Sequence, residues 1–305
     1  MTDNGPEVVP VGHTDDAGHR PDERPTRREH RNSGRQRRAG RDLRAATAVG
    51  AFLAVLVGTS LFVWKPAFVG LVAAAATVAV WELSHALGRR GIRVPLVPVL
   101  LSAVLLAVAA FIGGPDALTA ALGLSVVAVL IWRLGERDAG YARDVAAGIF
   151  VTLYVPFLAA FAAVLLRPDD GPWRVLTVIA VVVASDTGGY VAGVLTGRHL
   201  MAPSVSPNKS WEGFVGSVLL ASGVGIAGVV LLLDGDWKSG LVLGVAIMLA
   251  ATLGDLGESL IKRDLGIKDM STLLPGHGGL MDRVDSLLIS LPVAWVVLTE
   301  LVEVA

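Results

Sequence analysis

Apolar residues in this chain come in nine long runs, near 44–63, 67–87, 94–113, 117–134, 145–166, 173–192, 212–233, 239–260 and 286–304. A helix of about 20 residues crosses a hydrocarbon core of about 30 Å, so the runs predict an all-α polytopic membrane protein with about nine transmembrane helices. The breaks carry helix-ending or polar residues: Lys65-Pro66, Gly88 to Arg93, Gly113-Gly114-Pro115, Arg133 to Arg143, Arg167 to Pro172 and Asp234 to Lys238. The first two runs are the least clearly divided, with a short Trp-Lys-Pro link between them. Two polar loops stand out by length, 193–211 and 261–285, and polar residues also interrupt the apolar runs beside them.

Composition agrees with the pattern. Of 305 residues, 53% are apolar and 17% charged, against about 25% charged in soluble domains; mean hydropathy is +0.62. Cysteine is absent, which excludes disulfides, thiolate metal sites and cysteine nucleophiles. Residues 1–43 read as a disordered cytoplasmic tail, rich in Pro, Gly, Asp and Arg, with ten Arg between Arg20 and Arg44 against four acids. Such a tail fixes topology or meets anionic lipid; a nucleic-acid partner is not expected. Residues 44–305 form the integral membrane domain, whose motif-bearing part is 180–290.

Orientation follows from the loops. With the tail inside and one crossing per run, inner loops hold twelve basic residues and outer loops four, Lys65, Arg167, Arg174 and Lys238. Positive residues favour the cytoplasmic side, so the N-terminus is expected in the cytoplasm and the C-terminus outside the cell (inner) membrane. Both long polar loops then face the cytoplasm, where nucleotides are, and a cytoplasm-facing active-site cavity is expected there.

Candidate chemistry concentrates between Gly254 and Ser286. Ionisable groups within apolar helices cost several kcal/mol, so they mark functional sites more often than anchors. Asp255, Glu258, Ser259 and Lys262 fall at i, i+3, i+4 and i+7, one helical face; Asp282, Asp285 and Ser286 repeat the spacing at the mouth of the last run. Carboxylates from two helix ends can share a hard cation such as Mg²⁺ with phosphate oxygens. Between them, Pro275-Gly276-His277-Gly278-Gly279 offers a tight turn whose N–H groups can approach phosphate, and Lys262, Arg263, Lys268 and Arg283 supply positive charge. Upstream, Asp186 interrupts an apolar run, and Gly189, Gly193 and Gly197 recur every fourth residue, a ridge for close helix packing. Ser206 to Gly213 reads as a loop entering a helix, with Ser210 as N-cap and Lys209 at the anion-favouring end. Glu82 and His85, beside Trp81, line the cavity or anchor the interface.

Taken together, Ser259-x-x-Lys262-Arg263, Lys268-Asp269, Pro275-x-His277-Gly278-Gly279 and Asp282-Arg283-x-Asp285 resemble the signature of the phosphatidate cytidylyltransferases (CDP-diacylglycerol synthases). Ser185-Asp186 and Ser206-Pro207-x-Lys209-Ser210-x-Glu212-Gly213 are similar to that family as well. Gly189 and Asn208 depart from it, standing where members often have alanine and lysine. The resemblance implies transfer of a cytidylyl group from CTP to phosphatidate, with Mg²⁺ and room for a second cation. It implies catalytic roles for Asp255, Asp282, Lys262, Asp285 and Asp186, the four acids being the metal ligands. Substrate contacts fall to Ser259, Arg263, Lys268, Asp269, His277, Gly278, Gly279, Arg283, Lys209 and Ser206. Phosphatidate is expected from the inner leaflet among the membrane lipids, and a homodimer is the implied assembly. Two other readings stay open: a CTP-dependent enzyme acting on another lipid, such as a polyprenol, and a transporter with Asp186, Asp255 and Asp282 as an ion path.

Overall fold

Hydrophobic runs of this length become helices because hydrocarbon offers no partner to a backbone N–H or C=O, and a helix satisfies both internally. A computed structural model describes residues 43–135, 139–202, 206–271, 273 and 278–303. In chain order it contains α1 (Leu43–Val63), α2 (Lys65–Gly88), α3 (Leu96–Gly135), α4 (Tyr141–Thr152), a π-helical turn (Leu153–Phe157) and α5 (Leu158–Leu166). There follow α6 (Gly171–Thr196), β1 (Leu200–Ala202), β2 (Ser206–Ser210), α7 (Trp211–Leu232), α8 (Trp237–Asp264) and α9 (Met281–Leu301).

Among the described residues, seven helices are long and apolar enough to cross a membrane, the stretch Tyr141–Leu166 counting as one, and a shorter apolar helix covers Gly50–Val63. The expected nine thus needs qualification. Runs 94–113 and 117–134 lie in one 40-residue helix, α3, which if straight would be about 60 Å long, twice the core thickness. It is not straight. Gly114 takes φ 71°, ψ −153° and is followed by Pro115, and residues 98–105 and 124–132 line one shared cleft. The two arms therefore fold back on each other, and glycine supplies the positive φ at the bend. The π-helical turn also has a local cause: Pro156 cannot donate its helical hydrogen bond.

Beyond the helices, β1 and β2 pair antiparallel, Leu200 opposite Ser210 and Ala202 opposite Ser206, a small hairpin that the apolar pattern did not predict. It delivers the chain to α7, where Ser210 accepts from the Gly213 N–H at 3.1 Å as the expected N-cap.

Close packing holds α6 to α7 and α8 to α9. A Cβ on Gly188 would lie 2.5 Å from the Gly216 carbonyl oxygen, and one on Gly254 would lie 2.6 Å from that of Asp285. Those helices touch backbone to backbone, as small residues permit in lipid. Two buried apolar clusters fill the bundle, one around Leu106, Leu166, Val178 and Ile247, the other around Val80, Leu83, Val155 and Met281. The basic loop residues sort by end. Lys65 donates to the Pro168 carbonyl, and Arg174 pairs with Asp170 and donates to the carbonyls of Leu298, Val302 and Glu303. At the other end, Arg90 donates to the Leu265 carbonyl and Arg143 to that of Gly91.

Candidate active site

Two acids of α8 sit one turn apart, and each meets a different lysine. Asp255 pairs with Lys209, from the end of β2, at 2.7 Å. Glu258, fully buried, pairs with Lys262 at 2.7 Å, and Lys262 reaches across to Asp282 at 2.9 Å. Lys262 therefore bridges α8 and α9 with one ammonium group. The crossing at Gly254 makes this possible, because backbone contact there brings the first turn of α9 alongside the last turns of α8.

Asp282 does more than pair. Its Oδ2 accepts from the backbone N–H groups of Gly279, at 2.8 Å, and Met270, at 3.1 Å. The carboxylate thus holds the backbone at Met270 and at Gly279 against the start of α9. Asp285, one turn on, is buried; its Oδ1 accepts from the Ser286 N–H at 2.7 Å, and it lies against Glu258. Among the described residues no N–H or O–H group donates to the other Glu258 oxygen, Oε1, which is buried beside the Asp285 carboxyl. The buried hydroxyl of Tyr154 in the π-helical turn, which faces the same acids, is likewise without a partner among them. A buried carboxylate oxygen with no donor is costly unless something electropositive meets it.

Asp186 arrives from α6. It lines a cavity of about 310 Å³ together with Ser185, Lys209, Ser217, Thr252 and Asp255. Ser217 donates to the Ser185 carbonyl at 2.7 Å, which ties α7 to α6 at the cavity wall. Asp186, Asp255, Glu258 and Asp285 therefore form a continuous acidic string across three helices, with Lys209 and Lys262 set against it. Among the described residues no three His, Asp or Glu side chains form a ready-made cage. The donors come in pairs, Asp186 with Asp255 and Glu258 with Asp285. That suits Mg²⁺, which takes one or two carboxylates and completes its shell with water and phosphate oxygens.

The remaining expected residues are placed as follows. Ser259 donates toward Asp255 at 3.5 Å. Arg263, Lys268, Asp269 and Arg283 are exposed around the same helix ends, Asp269 close to Gly278, where φ is +80°. A Cβ on Gly278 would lie 3.2 Å from Asp282, and one on Gly279 would lie 3.0 Å from it. Ser206 lies in β2; His277 lies outside the described residues. Sequence reasoning put Glu258 on the right face without selecting it. It left Glu82 between two roles, although its place inside an apolar run was the signal. His85, by contrast, is exposed and stacks on Trp81 at 5.7 Å.

Residues 43–301 match the model of a cytidylyltransferase family. The chain belongs to that family. It is 41% identical over 258 residues to the phosphatidate cytidylyltransferase of Mycobacterium bovis, covering 80% of this chain and 84% of the relative. The phosphatidate cytidylyltransferase of Mycobacterium leprae is 41% identical over 269 residues, 83% of this chain and 86% of the relative. The phosphatidate cytidylyltransferase of Haemophilus influenzae is 39% identical over 153 residues, 47% and 53% respectively. The cytidylyltransferase match spans the elements that carry both lysine–carboxylate groups, β2, α8 and α9, as well as the arms of α3.

Proposed function

We propose that this chain transfers a cytidylyl group from CTP to phosphatidate, giving CDP-diacylglycerol and pyrophosphate for phospholipid biosynthesis. The observation that carries the reading is the meeting of five acids, Asp186, Asp255, Glu258, Asp282 and Asp285, and two lysines from β2, α6, α8 and α9 at one place, in a cytidylyltransferase. A phosphatidate oxygen attacks the α-phosphorus of CTP in line, a new P–O bond forms, and the bond to the bridging oxygen of the β-phosphate breaks as pyrophosphate leaves. Chemistry of this kind depends on positioning and on neutralising phosphate charge.

In this reading Lys262 and Lys209 hold phosphate oxygens beside the acids, and Arg263, Lys268 and Arg283 gather the anionic substrates. Ser259, Ser206, Asp269 and the His277-Gly278-Gly279 turn complete the contacts. Asp255, Asp282, Asp285 and Asp186 would hold Mg²⁺, with the buried Oε1 of Glu258 at hand and space along the string for a second cation. When bound, the ion supplies positive charge to the triphosphate. The protein's own share is to fix the two lysines, hold the backbone of Met270 and Gly279 through Asp282, and keep the acids paired. Phosphatidate enters from the inner leaflet with its acyl chains left in lipid. The same reading puts the N-terminus in the cytoplasm and the C-terminus outside the inner membrane, with a homodimer as the working assembly.

The test is a membrane-fraction assay with labelled CTP, phosphatidate and Mg²⁺, with GTP and polyprenol phosphate as controls. Label is expected in lipid only when phosphatidate is present. Label transferred to the polyprenol instead, or to no lipid at all, overturns the assignment.

A further inference from the structure

Glu82 is fully buried in α2, and among the described residues its hydrogen bonds come from a hydroxyl and two backbone amides rather than from a cation. Its Oε1 accepts from the Leu280 N–H at 3.0 Å and from the Ser271 hydroxyl at 2.5 Å, and its Oε2 accepts from the Met281 N–H at 2.8 Å. Leu280 and Met281 are the N-cap and first residue of α9, and Leu280 offers no side chain to cap the helix. A helix start leaves its first N–H groups without partners and carries the positive end of the helix dipole. A carboxylate from another helix, nearly 200 residues away in sequence, here fills both needs.

The neighbouring N–H group completes the arrangement. Gly279 donates to Asp282, so three successive amides, 279 to 281, are all held by two carboxylates. The fit leaves no slack: a Cβ on Gly279 would lie 2.8 Å from Glu82 Oε2 and 3.0 Å from Asp282 Oδ2. Ser271 extends the grip to the loop that Asp282 also holds through Met270.

We propose that Glu82 is a positioning residue for the transfer reaction, capping α9 from α2 and thereby setting Asp282 and Asp285 against Lys262 and Glu258. This rests on the cytidylyl-transfer reading above. Glu82 touches no reacting atom; it acts through the backbone of residues 279–281. Misplacement of a reacting group by about 1 Å can cost about 100-fold in rate, so the role has a kinetic signature distinct from general stability.

The experiment compares the full-length protein with Glu82→Gln and Glu82→Asp in detergent, reading CDP-diacylglycerol formation and amide hydrogen exchange over residues 278–286. Glu82→Gln is expected to lower kcat by about 100-fold and raise the half-saturating Mg²⁺ about tenfold, with KM for phosphatidate nearly unchanged. Exchange at Leu280 and Met281 should quicken, and Glu82→Asp, which keeps the charge, should fall between the two. Wild-type kcat and Mg²⁺ dependence in Glu82→Gln, or lost activity with exchange unchanged, overturns the proposal. If Glu82→Gln does not fold, Ser271→Ala decides, since it removes one donor and leaves both helix amides in place. A smaller kcat loss with the same Mg²⁺ shift supports positioning; wild-type kinetics there leaves Glu82 a purely structural cap and defeats it. Should the unmutated protein form no CDP-diacylglycerol, the reaction fails instead, and the exchange data alone judge the cap.

Discussion

Replacing Lys262 with methionine tests the centre of the site most sharply. Its ammonium lies 2.7 Å from Glu258 and 2.9 Å from Asp282, with side-chain exposures of 17% for the lysine, 0% for Glu258 and 8% for Asp282. Lys262→Met therefore removes the ammonium paired with a fully buried carboxylate, which already lies against the Asp285 carboxyl. Removing one member of a buried pair costs about 3–5 kcal/mol; the partial exposure of Lys262 puts the expected loss near the lower end, about 3 kcal/mol. Most of that is the penalty of a stranded charge. Glu258→Gln should therefore return a large part of it, and the double variant should be more stable than Lys262→Met alone. Unfolding in detergent by heat or denaturant reads the four corners of the cycle, with a coupling of about 2 kcal/mol expected against about 0.5 kcal/mol for independent sites. Additive losses would mean that Lys262 and Glu258 do not share a charge-pair environment. Activity gives a second axis: the double variant should stay inactive in cytidylyl transfer although its stability recovers, because the phosphate contact is gone. Recovery of turnover in the double variant would remove Lys262 from the reaction.

Three further outcomes are expected. Asp282→Asn should abolish CDP-diacylglycerol formation while membrane insertion survives, and normal turnover in detergent would strike it from the ligand set. Asp186→Asn should cause a severe but incomplete loss, since Asp186 shares its cavity with Asp255 and Lys209 rather than with Asp282; wild-type turnover would reduce it to a packing residue. Gly254→Ala drives a methyl to 2.6 Å from the Asp285 carbonyl oxygen and should cost about 1–3 kcal/mol as an overpacked contact, with activity falling as the two acid-bearing helices part. Gly257→Ala, with nothing within 4 Å of its new methyl, is the matched control and should be neutral; equal stability and activity in both variants would deny the α8–α9 crossing its role.

Much of the architecture was legible because hydrocarbon imposes a coarse rule: long apolar runs become helices, and polar residues gather where they end. The runs near 173–192, 212–233, 239–260 and 286–304 each became one helix, α6 to α9. The family was legible for a related reason. The spacing from Ser259 to Asp285 is a local pattern, and the cytidylyltransferase match over residues 43–301 agrees with it. The count of about nine stays approximate, because run length says nothing about whether a glycine bend ends a helix or folds it back on itself, as at Gly114 between the runs 94–113 and 117–134.

What only the tertiary structure decided is which side chains meet. Helical spacing put Asp255 and Glu258 on one face, but it took the backbone contact at Gly254 to bring Asp285 beside Glu258 and to let Lys262 reach Asp282. The two lysines divide between two acids because β2 ends over α8, a placement no periodicity encodes. Glu82 shows the limit most clearly: a lone acid in an apolar run announces itself, while its partners, the amides of Leu280 and Met281, carry no side-chain signature. Sequence determines local periodicity and residue chemistry; long-range hydrogen bonds between a side chain and a backbone depend on how helices cross, which is set by packing of the whole bundle.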